Sequence, residues 1–406
     1  EGKHCSRCNE TLVAQSIVPA KGHNYGEWII IQKPTENEEG LQERTCLCGY
    51  KETKSIDKIT NDLEFVLNED GSGYIVTGIG NCMDIYLVIP NSYNDLPVVG
   101  IQNFAFKGCS SIKSISVPKS ITTIGIGAFC GCSSLQSIVL PFIGNSATST
   151  SVTFGYVFGD TNYDGGVATD QSYSGSWYKT YYIPKTLESV TITSGSIPNY
   201  AFDNCTLITE IIIGEEVTSI GYQAFENCNS LKKLEIPPNI TDVYLERLFI
   251  NCWSLEQINV PFTNSVTLKK LFDGSYPAQI PSTLHTVVIT SGEELAPYAF
   301  AQCSEVENIE LPKTLTTIGT YAFWNCSSIN NITIPKNVDY IGKYAFVGCT
   351  SLEINMEEPY GWIVYSSSSA TTGTEIDDFY TSHTYFVTMY LKSDYSKYIW
   401  KRDASV

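Results

Sequence analysis

One short phrase recurs along this chain and restricts its fold more than anything else in it. Ala-Phe, two further residues and Cys are spelled around Phe106, Phe129, Phe202, Phe225, Phe300, Phe323 and Phe346, with Leu248-Phe249 as a variant. The closing cysteines are Cys109, Cys132, Cys205, Cys228, Cys252, Cys303, Cys326 and Cys349. Consecutive copies lie 23 or 24 residues apart. A fixed period of that length belongs to a solenoid, whose core grows in one dimension, so 406 residues need not mean several domains.

The spelling of one repeat has a physical reading. In Leu135-x-x-Ile138-x-Leu140-Pro141, residues 138 and 140 point to one face of a strand, and the proline ends its hydrogen bonding. Ile124-Gly125 fits a short second strand and a turn that needs a small residue. Ala128 lets that turn pack closely, and Phe129 is placed to stack on the phenylalanine of the next coil. No single repeat buries this face alone, so the array is cooperative and needs caps. The expected fold is a β-rich solenoid: a parallel β-sheet of short strands, helical turns on the convex side, and a cap at each end.

Strand signatures begin at Ile112, Leu135, Leu187, Ile208, Leu231, Leu255, Leu284, Val306, Ile329 and, shortened, Leu352. The steps Cys132–Cys205 and Cys252–Cys303 are too long for the period. Extra degenerate coils are expected there, with Phe154–Gly159 and Leu271–Gly274 replacing the usual turn. Ten signatures plus two or more such coils predict a sheet about 55–65 Å long at ~4.8 Å per coil.

The spelling Leu-x-x-Ile-x-Ile-Pro, then Val-Thr-x-Ile-Gly-x-x-Ala-Phe-x-x-Cys, resembles the BspA-like (Treponema-type) leucine-rich repeat over roughly residues 60–400. It departs from that pattern at Leu248, at Ile354 and in the two insertions. The resemblance implies a secreted or surface-attached bacterial protein, with adhesion to host or matrix proteins known for some members. It implies no catalytic residues.

The organisation expected is a small Cys-rich module at 1–58, an N-terminal cap at 59–100, and repeats at 101–355 with insertions near 141–182 and 261–281. A C-terminal cap at 356–406 completes it. In the N-terminal cap, Leu63–Asn68, an Asp70-Gly71 turn, Tyr74–Ile79 and Ile85–Pro90 fit a hairpin over the first coil. The chain begins at Glu1 without Met and inside a motif, so a fragment or a mature form is expected, and no Leu-Pro-x-Thr-Gly sorting motif stands at its end.

Composition narrows the partners. A formal charge of −18 repels phosphate backbones and anionic lipid heads, which argues against nucleic acid or membrane surfaces as partners. No apolar run reaches the ~18 residues of a membrane span. Catalysis lacks its usual signs: His4, His23, His285 and His383 stand in no nucleophile or metalloprotease motif. Gly125-x-Gly127 with Gly131 has the look of a dinucleotide loop, but Cys130 occupies the place of its third glycine.

Three constellations remain. Cys5, Cys8, Cys46 and Cys48 offer four ligands for a structural zinc, against two module copies whose cysteines pair elsewhere or stay reduced. Asp160, Asn162 and Asp164, before Gly165, reproduce the first half of a calcium loop whose twelfth position is Gln171 rather than Glu. The same insertion concentrates aromatic residues, of which Tyr163, Trp177, Tyr178 and Tyr181 are the candidate ligand anchors. The strand face between core positions, such as Ser114/Ser116 and Asn331/Thr333, is small and polar. The eight repeat thiols, ~4.8 Å apart, are expected to be buried and reduced because a disulfide needs closer Cβ atoms.

These features favour a non-catalytic extracellular protein that binds a macromolecule, a protein ligand on a host or neighbouring cell surface. A carbohydrate-binding module and a ligandless stalk are the alternatives.

Overall fold

The computed structural model describes residues 3–4, 11–13, 29–32, 40–45, 51–56, 62–149, 151–172, 177–240, 242–262, 266–272, 280–367, 370, 372–376, 381 and 384–402. The chain divides into two compact units, Glu1–Asn61 and Asp62–Val406. In the first, Ile29–Gln32, Gly40–Thr45 and Lys51–Ile56 form an antiparallel sheet. Arg44–Glu52 and Lys51–Glu43 ion pairs of 2.7 Å join its last two strands.

The second unit is a parallel β-solenoid. Eleven strands lie side by side along its main sheet, from Tyr86–Val88 to Glu353–Met356. Their register is regular: Ile115 faces Ile138, and Ile138 faces Val190. Alternation does what the sequence asks of it. Ile138 and Leu140 are buried while Ser137 and Val139 are half-buried on the other face. A second row of short strands follows, including Thr317–Ile318 and Tyr340–Ile341.

All ten strand signatures are strands of the main sheet. The eleventh is Tyr86–Val88, from the segment assigned above to the cap hairpin; it pairs in parallel with Ser114–Ser116. The expected extra coils are absent from the sheet, however. Ser137–Leu140 pairs directly with Ser189–Ile197, and Gln257–Val260 directly with Thr286–Ile289. The replacement turns therefore belong to coils already counted, because each insertion lengthens one coil and adds none. Counted in the same way, eleven strands at ~4.8 Å give about 53 Å, just under the expected length.

The turn row explains the rest of the motif. Phe202 N–H donates to Ala224 O at 2.8 Å, and Phe323 N–H to Ala345 O at 2.7 Å, so each turn is bonded to the next. Fully buried rings stack along this row, Phe300 on Phe323 at 5.4 Å and Phe323 on Phe346 at 5.0 Å. The glycine after isoleucine is required by proximity: a Cβ on Gly221 would lie 2.5 Å from the Asn199 amide nitrogen. Cysteine is not merely a small hydrophobe either. Cys252, Cys326 and Cys349 Sγ donate to the carbonyls of Phe225, Phe300 and Phe323 at 3.0, 2.8 and 2.9 Å. The ten described cysteines are free thiols; eight are buried, while Cys82 and the repeat thiol Cys109 are half-buried.

Antiparallel strands close both ends. Glu64–Leu67 folds back on Tyr74–Gly78 at the start. At the finish Ile399–Arg402 pairs with Tyr340–Ile341, with buried Trp400 against Trp362. Among the described residues helix is scarce, chiefly Leu268–Phe272 and Thr384–Met389.

Candidate binding site

The first insertion is a structured projection. Phe154–Val157 forms a 3-10 turn that takes the ladder position, with Phe154 packed 5.0 Å from Phe202. The chain then leaves the solenoid as an antiparallel hairpin, Gly166–Ser172 with Tyr178–Pro184. Gln171 locks it down. Its buried Oε1 accepts from Gly155 N–H at 2.7 Å, and its Nε2 donates to Asp203 O at 3.0 Å and reaches Cys205 Sγ at 3.3 Å. The residue read as the last position of a calcium loop is thus a clamp between hairpin and turns.

The candidate residues separate into two groups. Tyr181 is buried, packed where Gly155 has no side chain, and Lys179 lies over its ring. Tyr163 is half-buried and donates its hydroxyl to Tyr182 O at 3.0 Å. Burial pushes the Tyr163 phenol upward. Both are structural members of the projection. Trp177 and Tyr178 are 66% and 62% exposed on the second hairpin strand and its approach, free of the core.

Asp160, Asn162 and Asp164 are exposed, and the Asp160 carboxylate lies 3.2 Å from Lys179 Nζ. No cluster of three or more His, Cys, Asp or Glu side chains suited to a metal occurs among the described residues. Cys5, Cys8, Cys46 and Cys48 lie outside the described residues.

Beneath Tyr178 the hairpin and the neighbouring turns enclose a polar pocket of about 180 Å³. Its floor holds Asp203 and Glu226, which stand at the same place in successive repeats, immediately after the ladder phenylalanine. Asp203 accepts from Ser172 N–H at 3.1 Å and from Asn227 Nδ2 at 3.0 Å; Asn251 in turn donates to Asn227 Oδ1 at 2.8 Å. Asn204, Asn227 and Asn251 occupy the left-handed region, which the one-turn ladder demands and asparagine tolerates.

The electrostatics of this floor are unfavourable to the free protein. Burial raises the Asp203 carboxyl above the ordinary range, although the N–H groups of Ser172, Asn227 and Asn204 pull it the other way. Burial, and then the Asp203 charge, push Glu226 up to about 7, with Arg247 pulling the other way. Ser172, 2% exposed, lines the pocket, and its Oγ has no hydrogen-bond partner among the described residues. Aromatic enrichment points to the loop but not to this floor. The signal was available: two acids in adjacent copies at a repeat position that elsewhere holds Lys107, Cys130, Ile250, Ala301, Trp324 or Val347, and Asp273 in the second insertion.

Residues 87–155, 178–280 and 281–385 match the family model described as the BspA type leucine rich repeat region, in six copies. Among solved structures, a T. pallidum leucine rich repeat protein is 18% identical, covering 72% of this chain and 88% of that one, with a TM-score of 0.26. A leucine rich cell surface protein of Faecalibacterium prausnitzii is 18% identical over 75% of this chain and 96% of its own, with a TM-score of 0.28. The pneumococcal vaccine antigen PcpA is 17% identical, 82% of each chain being covered, with a TM-score of 0.25. No curated protein sequence matches the chain.

Proposed function

The chain belongs to the BspA-type leucine-rich repeat family, and on that premise we propose that it is a non-catalytic extracellular bacterial surface protein that binds a protein partner through the hairpin projection. One observation carries this reading. Trp177 and Tyr178 stand exposed on an element that a regular coil does not need and that Gln171 holds rigid. Rigid aromatic groups give large contact area at low entropy cost. The acidic pocket beneath them favours a basic partner surface, in keeping with the chain's charge of −18. No described helix is long and apolar enough to cross a membrane.

The exposed rings would also stack on a sugar, which is the second reading. A panel of matrix proteins beside a glycan array separates the two. The Trp177→Ala/Tyr178→Ala double variant is expected to lose about 2 kcal/mol or more of affinity for the protein that binds, the scale of a hot spot. Unchanged affinity with intact folding would move the site to the outward sheet face, and a glycan as the sole hit would replace protein by carbohydrate.

A further inference from the structure

We propose that the pocket beneath the hairpin is a socket for one cationic side-chain head, a lysine ammonium or arginine guanidinium, presented by the protein partner. The proposal rests on the reading above for the partner's class, but its geometry is independent of Trp177.

The pocket offers acceptors without donors to match them. Each Asp203 oxygen receives a single N–H, leaving further lone-pair positions. Among the described residues no hydrogen bond holds the Glu226 carboxylate. Ser172 Oγ is buried and unpartnered there, a state that normally implies a missing group. A guanidinium carries five donors and an ammonium three, with no acceptor to compete. Tyr178 and Tyr200 line the same space, and aromatic rings attract cations.

Repeat logic points the same way. Adjacent coils place Asp203 and Glu226 in register, so two like charges face each other across one coil step in a partly desolvated setting. Stability does not ask for two adjacent acids, since most other coils fill the position with apolar or neutral groups such as Ile250 and Val347 and one with Lys107. The charges facing Glu226 are Asp203 and Arg247, and Arg247 is exposed on the following coil rather than among the pocket's lining residues. A ligand cation would relieve what Arg247 only reduces. Anions are repelled. The volume of about 180 Å³ admits a side-chain head and stem but no folded element.

The test uses the whole chain, ¹⁵N-labelled, titrated with Nα-acetyl-arginine amide, Nα-acetyl-lysine amide, their neutral counterpart Nα-acetyl-citrulline amide, and calcium chloride. The Ser172 amide and the Asn227 side-chain amide, both bonded to Asp203, report the pocket. A saturable shift is expected with the cationic amides and none with citrulline. Glu226→Gln should weaken the response about tenfold or more while the fold persists, as loss of a hydrogen bond to a charged group does. Trp177→Ala should leave it unchanged, so a failed hairpin interface and a failed socket are told apart. Equal response to citrulline, no response to either cation, or saturation of the same resonances by calcium would each overturn the proposal.

Discussion

In the coils at Phe300, Phe323 and Phe346, the residue after the ladder phenylalanine is Ala301, Trp324 or Val347; in the coils at Phe202 and Phe225 it is Asp203 or Glu226. The two regions share one turn geometry. Tyr298, Tyr321 and Tyr344 hold φ near +60° in the first region, and Tyr200 holds φ 57° in the second. Backbone strain of this kind is therefore a property of the repeat and marks no site. What differs is what the turns touch. Tyr298, Tyr321 and Tyr344 stack face to face at 5.0 Å along an open surface, whereas Asp203 and Glu226 lie under a clamped hairpin.

The largest effect should be insensitive to this difference. Phe225, fully buried between Phe202 and Phe249, belongs to the shared core. Phe225→Ala is expected to cost about 3–5 kcal/mol through lost burial and a cavity, and Phe323→Ala about the same. Because coils support their neighbours, protection against hydrogen exchange should fall beyond the altered coil. If urea denaturation put the two variants more than about 2 kcal/mol apart, the two regions would not share one core.

The shared part was the legible part. Period, strand faces, caps and the phenylalanine ladder follow from residues such as Ile138, Leu140 and Phe129, because each is fixed by contacts one coil away. The count of coils was not, because Phe154–Val157 and Leu268–Phe272 read as additional repeats when they are the turns of existing ones. Nor was the division among the aromatic candidates. Tyr181 lies within the strand where the hairpin is clamped and Trp177 just before it, and that difference depends on long-range bonds, Gln171 to Gly155 and Asp203, which no local pattern announces.

That clamp gives the intermediate effect and separates the regions. Gln171→Ala removes partners from the buried Gly155 N–H and Asp203 carbonyl, at a cost of about 1–3 kcal/mol. The loss should appear first as faster exchange of the hairpin amides, with the Phe300–Phe346 coils unaffected. Uniform loosening of the whole array would mean that the hairpin is part of the core after all.

The smallest effect is electrostatic and belongs to the hairpin region alone. Glu226 in the folded chain titrates at about 7, above its ordinary 4.5, and Asp203 is shifted in the same direction. For a carboxyl whose folded value is raised, the folded state holds its proton longer than the unfolded chain. Its stabilising contribution is full below about pH 4.5 and is lost as pH rises through about 7. Glu226 is half-buried, and after allowance for solvent screening the effect is on the order of 1 kcal/mol or less. The native chain should therefore lose stability relative to Glu226→Gln between pH 5 and pH 8, as urea midpoints at the two values would show. Saturating Nα-acetyl-arginine amide should erase the difference by supplying the missing counter-charge. A native-minus-variant difference that stays flat, or that rises with pH, would mean Arg247 already neutralises Glu226 and that the acids under the hairpin are no more frustrated than the neutral turns beyond it.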